Sequence, residues 1–270
     1  MASWLELPDE RRRKQGVDAD ARDEVRRRSP ADELMFSGER LYYAGEFLDA
    51  AREFRRARRH DPSLFDAWAA EVDARLRAGD LRYADEAATE ALTNFGKVPI
   101  FYAAKALVLA HQGQIAAACE HSDIAVKLQP GSIFTWLARA EVLLATRESV
   151  ALGGADTCFA RAEQADPTHW RASFRAALAL ARWGRHDRAL ERLAQVTQLT
   201  PANPFVWKAM GDCHLALRDP VQARHHYQLA LARRPGYRPA LEALRSLTVW
   251  GRLWKGAVHL LKRMRVVRDA

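Results

Sequence analysis

The sequence has little of what enzymes, metalloproteins and secreted domains commonly need. Three cysteines, Cys119, Cys158 and Cys213, have spacings unlike any metal or disulfide framework. No GxxxxGK[ST] or GxGxxG segment is present to bind a phosphate. No apolar run reaches the roughly 18 residues of a membrane helix, and the segment MASWLELPDERRRK lacks the long apolar stretch of a secretory signal. We therefore expect a cytoplasmic protein without a transmembrane segment.

The titratable side chains also lack the spacing of a catalytic site. His225 and His226 are adjacent, so they point to different faces of a helix. His214 falls at a packing position. Cys119 and Cys213 lie among small and apolar neighbours, which is typical of buried thiols that pack rather than react. We predict no catalytic residue, no cofactor, no metal ion and no enzymatic activity.

Charge is distributed unevenly along a chain that has ample apolar material for a core. Of the 270 residues, 49% are hydrophobic and 28% are charged, and the net charge is +8. Residues 1–30 contain eight Lys/Arg against seven Asp/Glu, and residues 238–270 contain eight against two. Most of the excess positive charge therefore lies at the C-terminal end. The abundance of Arg and Ala resembles a GC-rich bacterial coding bias, which is an association and not a physical argument.

Repetition is the dominant feature of the sequence. Trp68, Tyr102 and Trp136 are 34 residues apart. After a slip of three residues the same interval returns, and prolines end successive units at positions 167, 201 and 235. A period of this length with two helices in each unit is typical of a stacked helical solenoid.

Residues 204–237 resemble a known family. The residues that carry the resemblance are Trp207, Met210, Gly211 and His214 on the first predicted helix, Ala223, Tyr227 and Ala230 on the second, and Pro235 at the exit. This unit is similar to a tetratricopeptide repeat. The resemblance implies an all-α, right-handed superhelical solenoid of antiparallel helix pairs, and its members mostly bind other proteins.

The period also predicts the boundaries of the units. We expect a charged N-terminal arm or cap over 1–30 and a degenerate seventh repeat with a basic amphipathic capping helix over 238–270. The six repeats between them are expected at 31–64, 65–98, 99–132, 133–169, 170–203 and 204–237. The fourth contains the three extra residues, which we place in a loop with Ser149, Gly153 and Gly154. We interpret this loop as a tolerated insertion, or alternatively as a contact point.

Two local patterns predict how helices begin. Ser29 is expected to cap the first helix, with Pro30 at the first helical position and Asp32 returning a hydrogen bond. In the segment 61–63, Asp-Pro-Ser is expected to end one helix and, through Ser63, to cap the next.

Small residues recur where the two helices of each pair should meet. On the first helices they are Gly38, Ala106, Ala140, Ala177 and Gly211. On the second helices they are Ala50, Ala84, Ala118, Ala155, Ala189 and Ala223. We predict that these positions form a close-packed seam in which a bulky replacement costs about 1–3 kcal/mol.

The resemblance further implies that the first helices line a concave groove in which a partner binds. The inward positions carried onto this sequence are Asp32, Met35, Glu39, Asp66, Asp73, Ile100, Leu107, Phe134, Leu137, Glu141, Arg171, Phe174, Leu178, Phe205, Lys208 and Asp212. They are acidic at the N-terminal end and apolar in the middle. The predicted partner is an extended or helical protein segment with apolar and basic residues. Alternatively, several of these side chains only fill contacts between adjacent first helices.

The family branch that clamps a C-terminal carboxylate uses lysines and asparagines at these inward places. Met35 and Glu39 stand there instead, so binding of a chaperone tail is disfavoured. An interaction scaffold without chemistry of its own is the favoured function, and a regulatory subunit of an enzyme complex is less favoured.

The two ends of the chain leave alternatives open. Residues 1–30 are interpreted as an arm or a cap, with a docking peptide as the alternative. The last helix is interpreted as a solenoid cap, with nucleic-acid or anionic-surface binding as the alternative. The basic residues available for that contact are Arg252, Lys255, Lys262, Arg263, Arg265 and Arg268.

Overall fold

The computed structural model describes residues 29–128, 132–166, 168 and 170–247, and its regular elements are all helices. They are α1 (Pro30–Tyr43), α2 (Phe47–His60), α3 (Phe65–Arg77), α4 (Leu81–Phe95), α5 (Pro99–His111), α6 (Ile115–Leu128), α7 (Ile133–Ala145), α8 (Ser149–Ala165), α9 (Arg171–Arg182), α10 (His186–Leu199), α11 (Pro204–Ala216) and α12 (Pro220–Arg233). Residues 238–247 are also helical. The predicted all-α repeat solenoid is confirmed.

The helices pack as successive pairs. α1 packs on α2, α5 on α6, α7 on α8 and α11 on α12. The first helices of neighbouring pairs also pack in series, α3 on α5, α5 on α7 and α7 on α9. The chain divides into two units, which are described separately: unit 1 is Met1–Trp183 and contains α1 to α9, and unit 2 is Gly184–Ala270 and contains α10 to α12.

The predicted seam between paired helices is confirmed at its two glycines. A Cβ atom added at Gly38 would lie 2.5 Å from Cε1 of Phe54, and one added at Gly211 would lie 2.4 Å from Cε1 of Tyr227. Real Cβ atoms do not come this close to other heavy atoms, so any side chain there would displace an aromatic ring. Ala223 on the facing helix is also fully buried.

The turn inside each pair repeats as regularly as the helices. One residue near the start of each turn has a positive φ, and these residues are Gly45, Gly79, Gly113, Arg147, Gly184 and Arg218. Their numbers follow the 34-residue period with the same three-residue slip. Glycine adopts this conformation without steric cost, whereas the two arginines place a Cβ atom in a disfavoured position.

One predicted loop is wrong. Ser149, Gly153 and Gly154 belong to α8, which begins at Ser149 and runs for 17 residues, so the extra residues lengthen a helix and not a loop. A Cβ atom at Gly154 would lie 3.2 Å from Cδ1 of Leu143. Glycine at this place keeps α8 clear of the Leu143 side chain of α7, although glycine is a poor helix former.

The two capping predictions have opposite outcomes. Ser29 accepts a hydrogen bond from the backbone of Asp32, whose carboxylate accepts one from the backbone of Ser29, so the predicted capping box is confirmed. The Ser63 cap is wrong. The hydroxyl and backbone N–H of Ser63 both donate to Oδ1 of Asp61, at 2.6 and 2.9 Å, and α3 starts after Leu64 without a side-chain cap.

Candidate functional site: the inner face of the first helices

The sixteen predicted groove residues have very different exposures. In each unit, we call the positions that they occupy on the first helices the inner face of that unit. The exposed or half-buried residues are Asp32, Asp66, Leu178, Lys208 and Asp212. The buried residues are Met35, Glu39, Asp73, Ile100, Leu107, Phe134, Leu137, Glu141, Arg171, Phe174 and Phe205. Ten of the eleven buried residues belong to unit 1, so its inner face differs from the accessible groove that was expected.

Asp73 is the centre of a buried polar network on the inner face of unit 1. The Tyr42 hydroxyl donates to Asp73 Oδ2 at 2.7 Å, and Arg175 Nη2 donates to the same oxygen at 2.9 Å. Arg77 Nε donates to the other carboxylate oxygen at 3.3 Å. Burial, with the negative charge of Asp73 adding to it, raises the pKa of Tyr42 above its usual range. Tyr42 therefore stays a neutral donor.

A second carboxylate, Glu141, has three side-chain partners, of which Trp183 donates from Nε1 to Oε1 at 3.3 Å. Arg77 Nη2 donates to Glu141 Oε2 at 2.7 Å, and His111 Nε2 lies 3.1 Å from Oε1. Arg182 Nη2 lies 3.1 Å from His111 Nδ1. Arginine only donates, so Nδ1 is the acceptor and we assign the proton to Nε2, from which it bonds Glu141.

The ionic state of Glu141 follows from these contacts. Burial acts to raise its pKa, but the charge of Arg77 and the hydrogen bonds from His111 and Arg77 outweigh burial and hold the pKa well below its usual range. The carboxylate is thus ionised in the folded chain.

Glu39 shows the opposite balance. Its nearest cation is Arg171, whose Nη1 lies 3.5 Å from Glu39 Oε2, at the limit of a hydrogen bond. Burial is the largest influence, and it raises the pKa of Glu39 to about 8 although Arg171 acts to lower it. The Glu39 carboxyl is therefore poorly compensated as an anion.

Aromatic rings surround Arg171 and Arg175 of α9. Tyr43 and Trp170 pack edge to face with centroids 5.0 Å apart, and Tyr43 and Phe174 are 6.2 Å apart. The Arg171 guanidinium lies 5.0 Å from the Tyr43 ring, and Arg175 lies 5.4 Å from the ring of Phe134. Such contacts favour a cation that has lost its water. Together with the ion pairs, they hold α9 against α1, α3 and α7.

Several residues of this network were not among the predicted site residues. Arg175 is one, although it follows Arg171 by four residues and so shares its helix face. Tyr43, Arg77 and His111 are others. The four-residue spacing was the one sequence signal able to identify Arg175, and no comparable signal connects His111 with position 141.

The inner face of unit 2 is open to solvent at Lys208 and Asp212, whereas Phe205 is buried. On α11, Lys208 Nζ pairs with Asp212 Oδ2 at 2.6 Å, and these side chains are 23% and 45% exposed. The Tyr227 hydroxyl donates to the other oxygen of Asp212 at 3.0 Å. Leu215, one turn further on, is 39% exposed. This face therefore presents a cation, an anion and an apolar side chain.

Histidines cluster on another side of α11 and α12. His214 and His226 stack with ring centroids 4.8 Å apart, and Trp207 stacks on His226 at 6.2 Å. Burial lowers the pKa of His226. Within the described residues, no three His, Cys, Asp or Glu side chains are arranged to hold a metal ion. The cluster is an aromatic stack.

The cysteines named in the sequence analysis differ in burial, and the predicted chain-end contacts cannot be placed on the described helices. Cys213 is buried, and burial raises the pKa of its thiol to about 12, whereas Cys119 is only half-buried. The predicted basic contacts over 252–268 and residues 1–28 of the arm predicted over 1–30 lie outside the described residues. Among the helices described, none is long and apolar enough to cross a membrane.

The fold and this face define a helical-repeat protein, and sequence comparison identifies the repeat. One model of the tetratricopeptide repeat matches residues 180–247, and a second matches residues 69–133 and 153–204. Together the matched segments cover more than half of the chain. The chain belongs to the tetratricopeptide repeat family, whose members commonly mediate protein–protein interaction and are generally non-catalytic scaffolds.

Solved structures with a similar fold are also repeat proteins. The Cut9-Hcn1 hetero-tetramer of the APC/C has a chain that is 21% identical, with a TM-score of 0.46; the match covers 84% of this chain and 45% of that one. A thermophilic tetratricopeptide repeat protein of Thermus thermophilus is 19% identical, with 81% and 99% coverage and a TM-score of 0.46. YrrB, described as having an unusual peptide-binding site, is 18% identical, with 72% and 99% coverage and a TM-score of 0.40. No curated protein sequence matches the chain.

Proposed function

We propose that this tetratricopeptide repeat protein is a non-catalytic scaffold whose inner face binds an extended or helical segment of another protein. The observation that carries the proposal is the chemistry of that face. In unit 1 it holds the buried acidic side chains Glu39 and Asp73, and in unit 2 it presents Lys208, Asp212 and Leu215 to solvent. A segment with basic and apolar side chains complements both kinds of surface.

The accessible part of this surface is the place for first contact. Lys208, Asp212 and Leu215 follow one face of α11, and none of them is fully buried. The exposed Lys208–Asp212 pair contributes little to stability. Lys208 is therefore available to exchange this bond for contacts with a partner, while Asp212 keeps its hydrogen bond from the Tyr227 hydroxyl.

The test exchanges charges on α11 while keeping an intrahelical pair. The double variant Lys208→Asp/Asp212→Lys reverses the field that a partner meets and preserves one opposite-charge contact at i, i+4. The matched control is Arg82→Glu/Glu86→Arg, which exchanges an exposed i, i+4 pair whose atoms are 3.0 Å apart. Peptides selected by display on the full-length wild-type chain supply the ligands, and binding is measured by titration.

We expect the α11 exchange to weaken the selected peptides by about tenfold, equivalent to about 1.4 kcal/mol, and the control to leave their affinity unchanged. Selected peptides should also be rich in Arg or Lys and apolar residues. Equal affinity for the wild type and the α11 variant would remove α11 from the binding face.

A further inference from the structure

A helix of the chain itself already occupies part of the predicted binding face. Glu39 and Asp73 are 34 residues apart, at equivalent places on α1 and α3. Their cations are Arg171 and Arg175 of α9, which lie 132 and 102 residues further along the chain. The contacts predicted for the basic side chains of a partner are thus made within unit 1.

The occupying helix has a defined chemistry. Arg171 and Arg175 are four residues apart and Phe174 precedes the second arginine, so the three share one face of α9. All three are buried, and Tyr43 contacts Arg171 and Phe174. This face of α9 presents two guanidinium groups and an aromatic ring to α1 and α3. Their order in the sequence is Arg-x-x-Phe-Arg.

We propose that α9 is an intramolecular occupant of the partner site, and that the partner presents a helix with the same pattern of two arginines four residues apart and an aromatic residue before the second. This inference rests on the proposed function and adds the chemistry of the ligand and a mechanism of self-inhibition. The partner binds when α9 leaves α1 and α3.

The energetics of buried ion pairs are consistent with exchange. Removing two charges from water offsets most of their attraction, so such pairs add little net stability although leaving one partner alone is costly. A helix that brings its own guanidinium groups keeps the Asp73 carboxylate paired and keeps a hydrogen-bond donor beside Glu39. The contact between Glu39 and Arg171, at 3.5 Å, is the weaker of the two.

The closing experiment uses the helix itself as the probe. A fluorescent peptide with the sequence of residues 170–182, acetylated and amidated at its ends, is titrated against the full-length chain and followed by fluorescence anisotropy. The receptor variant, called the released receptor, is Arg171→Gln/Arg175→Gln, which removes the two arginine contacts of α9 with α1 and α3. The matched control receptor is Arg52→Gln/Arg82→Gln, which removes two exposed arginines of unit 1. The control probe carries glutamine at both arginine positions.

If α9 occupies the site in about nine-tenths of the wild-type molecules, the apparent affinity of the wild type for the probe is about tenfold lower. We therefore expect the released receptor to bind the arginine probe at least about tenfold more tightly than the wild type. The control receptor should match the wild type, and the glutamine probe should bind both receptors equally weakly. Equal affinities of the wild-type and released receptors for the arginine probe overturn the inference.

A second measurement covers a released receptor that fails to fold. Hydrogen exchange of α9 in the wild-type chain should accelerate when the arginine probe is added in excess, and it should not respond to the glutamine probe. Unchanged exchange with both probes overturns the inference. Binding of the arginine probe is measured on unit 1 and does not depend on the peptides selected by display. If the charge exchange on α11 leaves the affinity of those peptides unchanged, only the proposed function is contradicted.

Discussion

The two units use one helix-pair design and treat the charges on their inner faces in opposite ways. In unit 1, Asp73 and Arg175 face each other from α3 and α9 and are almost fully buried. In unit 2, Lys208 and Asp212 lie on a single helix and remain partly solvated. The charged pair that joins two first helices is buried, whereas the pair that lies on one first helix is partly solvated.

The largest expected effect is on the free energy of unfolding, and it should differ between variants of the two units. Arg175→Met should lower the free energy of unfolding by about 3–5 kcal/mol, because Asp73 loses a buried cation. Lys208→Met in unit 2 should cost less than about 1 kcal/mol, because its pair is partly solvated. Urea unfolding followed by circular dichroism measures both. Similar costs for the two substitutions would contradict the contrast between the units.

The next prediction concerns pH and belongs to unit 1 alone. The pKa of Glu39 is raised from its ordinary value of 4.5 to about 8, so the folded state binds more protons than the unfolded state between these values. Stability contributed by protonated Glu39 is fully present below pH 4.5 and is lost as pH rises through 8. Glu39→Gln should remove this fall, which is on the order of a few kcal/mol.

Urea midpoints at pH 5 and pH 8.5 measure the Glu39 effect, with Glu141→Gln as the comparison. The pKa of Glu141 is lowered, so its contribution is present above pH 4.5 and is lost on acidification. The two variants should therefore change the pH profile in opposite directions. A Glu39→Gln profile parallel to that of the wild type would show that Glu39 is not the group responsible.

A smaller effect should be shared by both units because their seams are alike. Ala50→Leu in unit 1 and Ala223→Leu in unit 2 should each cost about 1–3 kcal/mol and lower the melting temperature, since both sites are fully buried. Ala232→Leu, at an exposed position of α12, is the control. An unchanged melt for Ala223→Leu would show that this position is not part of the seam.

The smallest expected effect concerns the two turns that lack glycine. Arg147 and Arg218 have φ of 61° and 64°. Arg147→Gly and Arg218→Gly should each stabilise the chain by about 0.5–1 kcal/mol, because relief of the left-handed strain exceeds the added entropy of glycine in the unfolded chain. Differential scanning calorimetry measures the shift. A lower melting temperature for both variants would mean that the arginine side chains make stabilising contacts.

Features close together in sequence were predicted well when one interaction decided them. The Ser29 cap needs only Asp32, three residues away, and the small residue at Gly38 needs only the paired helix that carries Phe54. Ser63 failed because Asp61 offered its hydroxyl a competing acceptor. The loop expected at Gly153 and Gly154 is helical instead, and a Cβ atom added at Gly154 would lie 3.2 Å from Cδ1 of Leu143 on α7.

The sequence by itself determined the helical repeat, its period and its seam, because these depend on residue spacings of four to 34 positions. Tertiary structure alone decided the inner face, where Glu39 meets Arg171 across 132 residues of chain. No periodic signal encodes that meeting. The contact depends on how the first helices of successive pairs are placed in unit 1. Small differences in the placement of one pair on the next add up over several repeats.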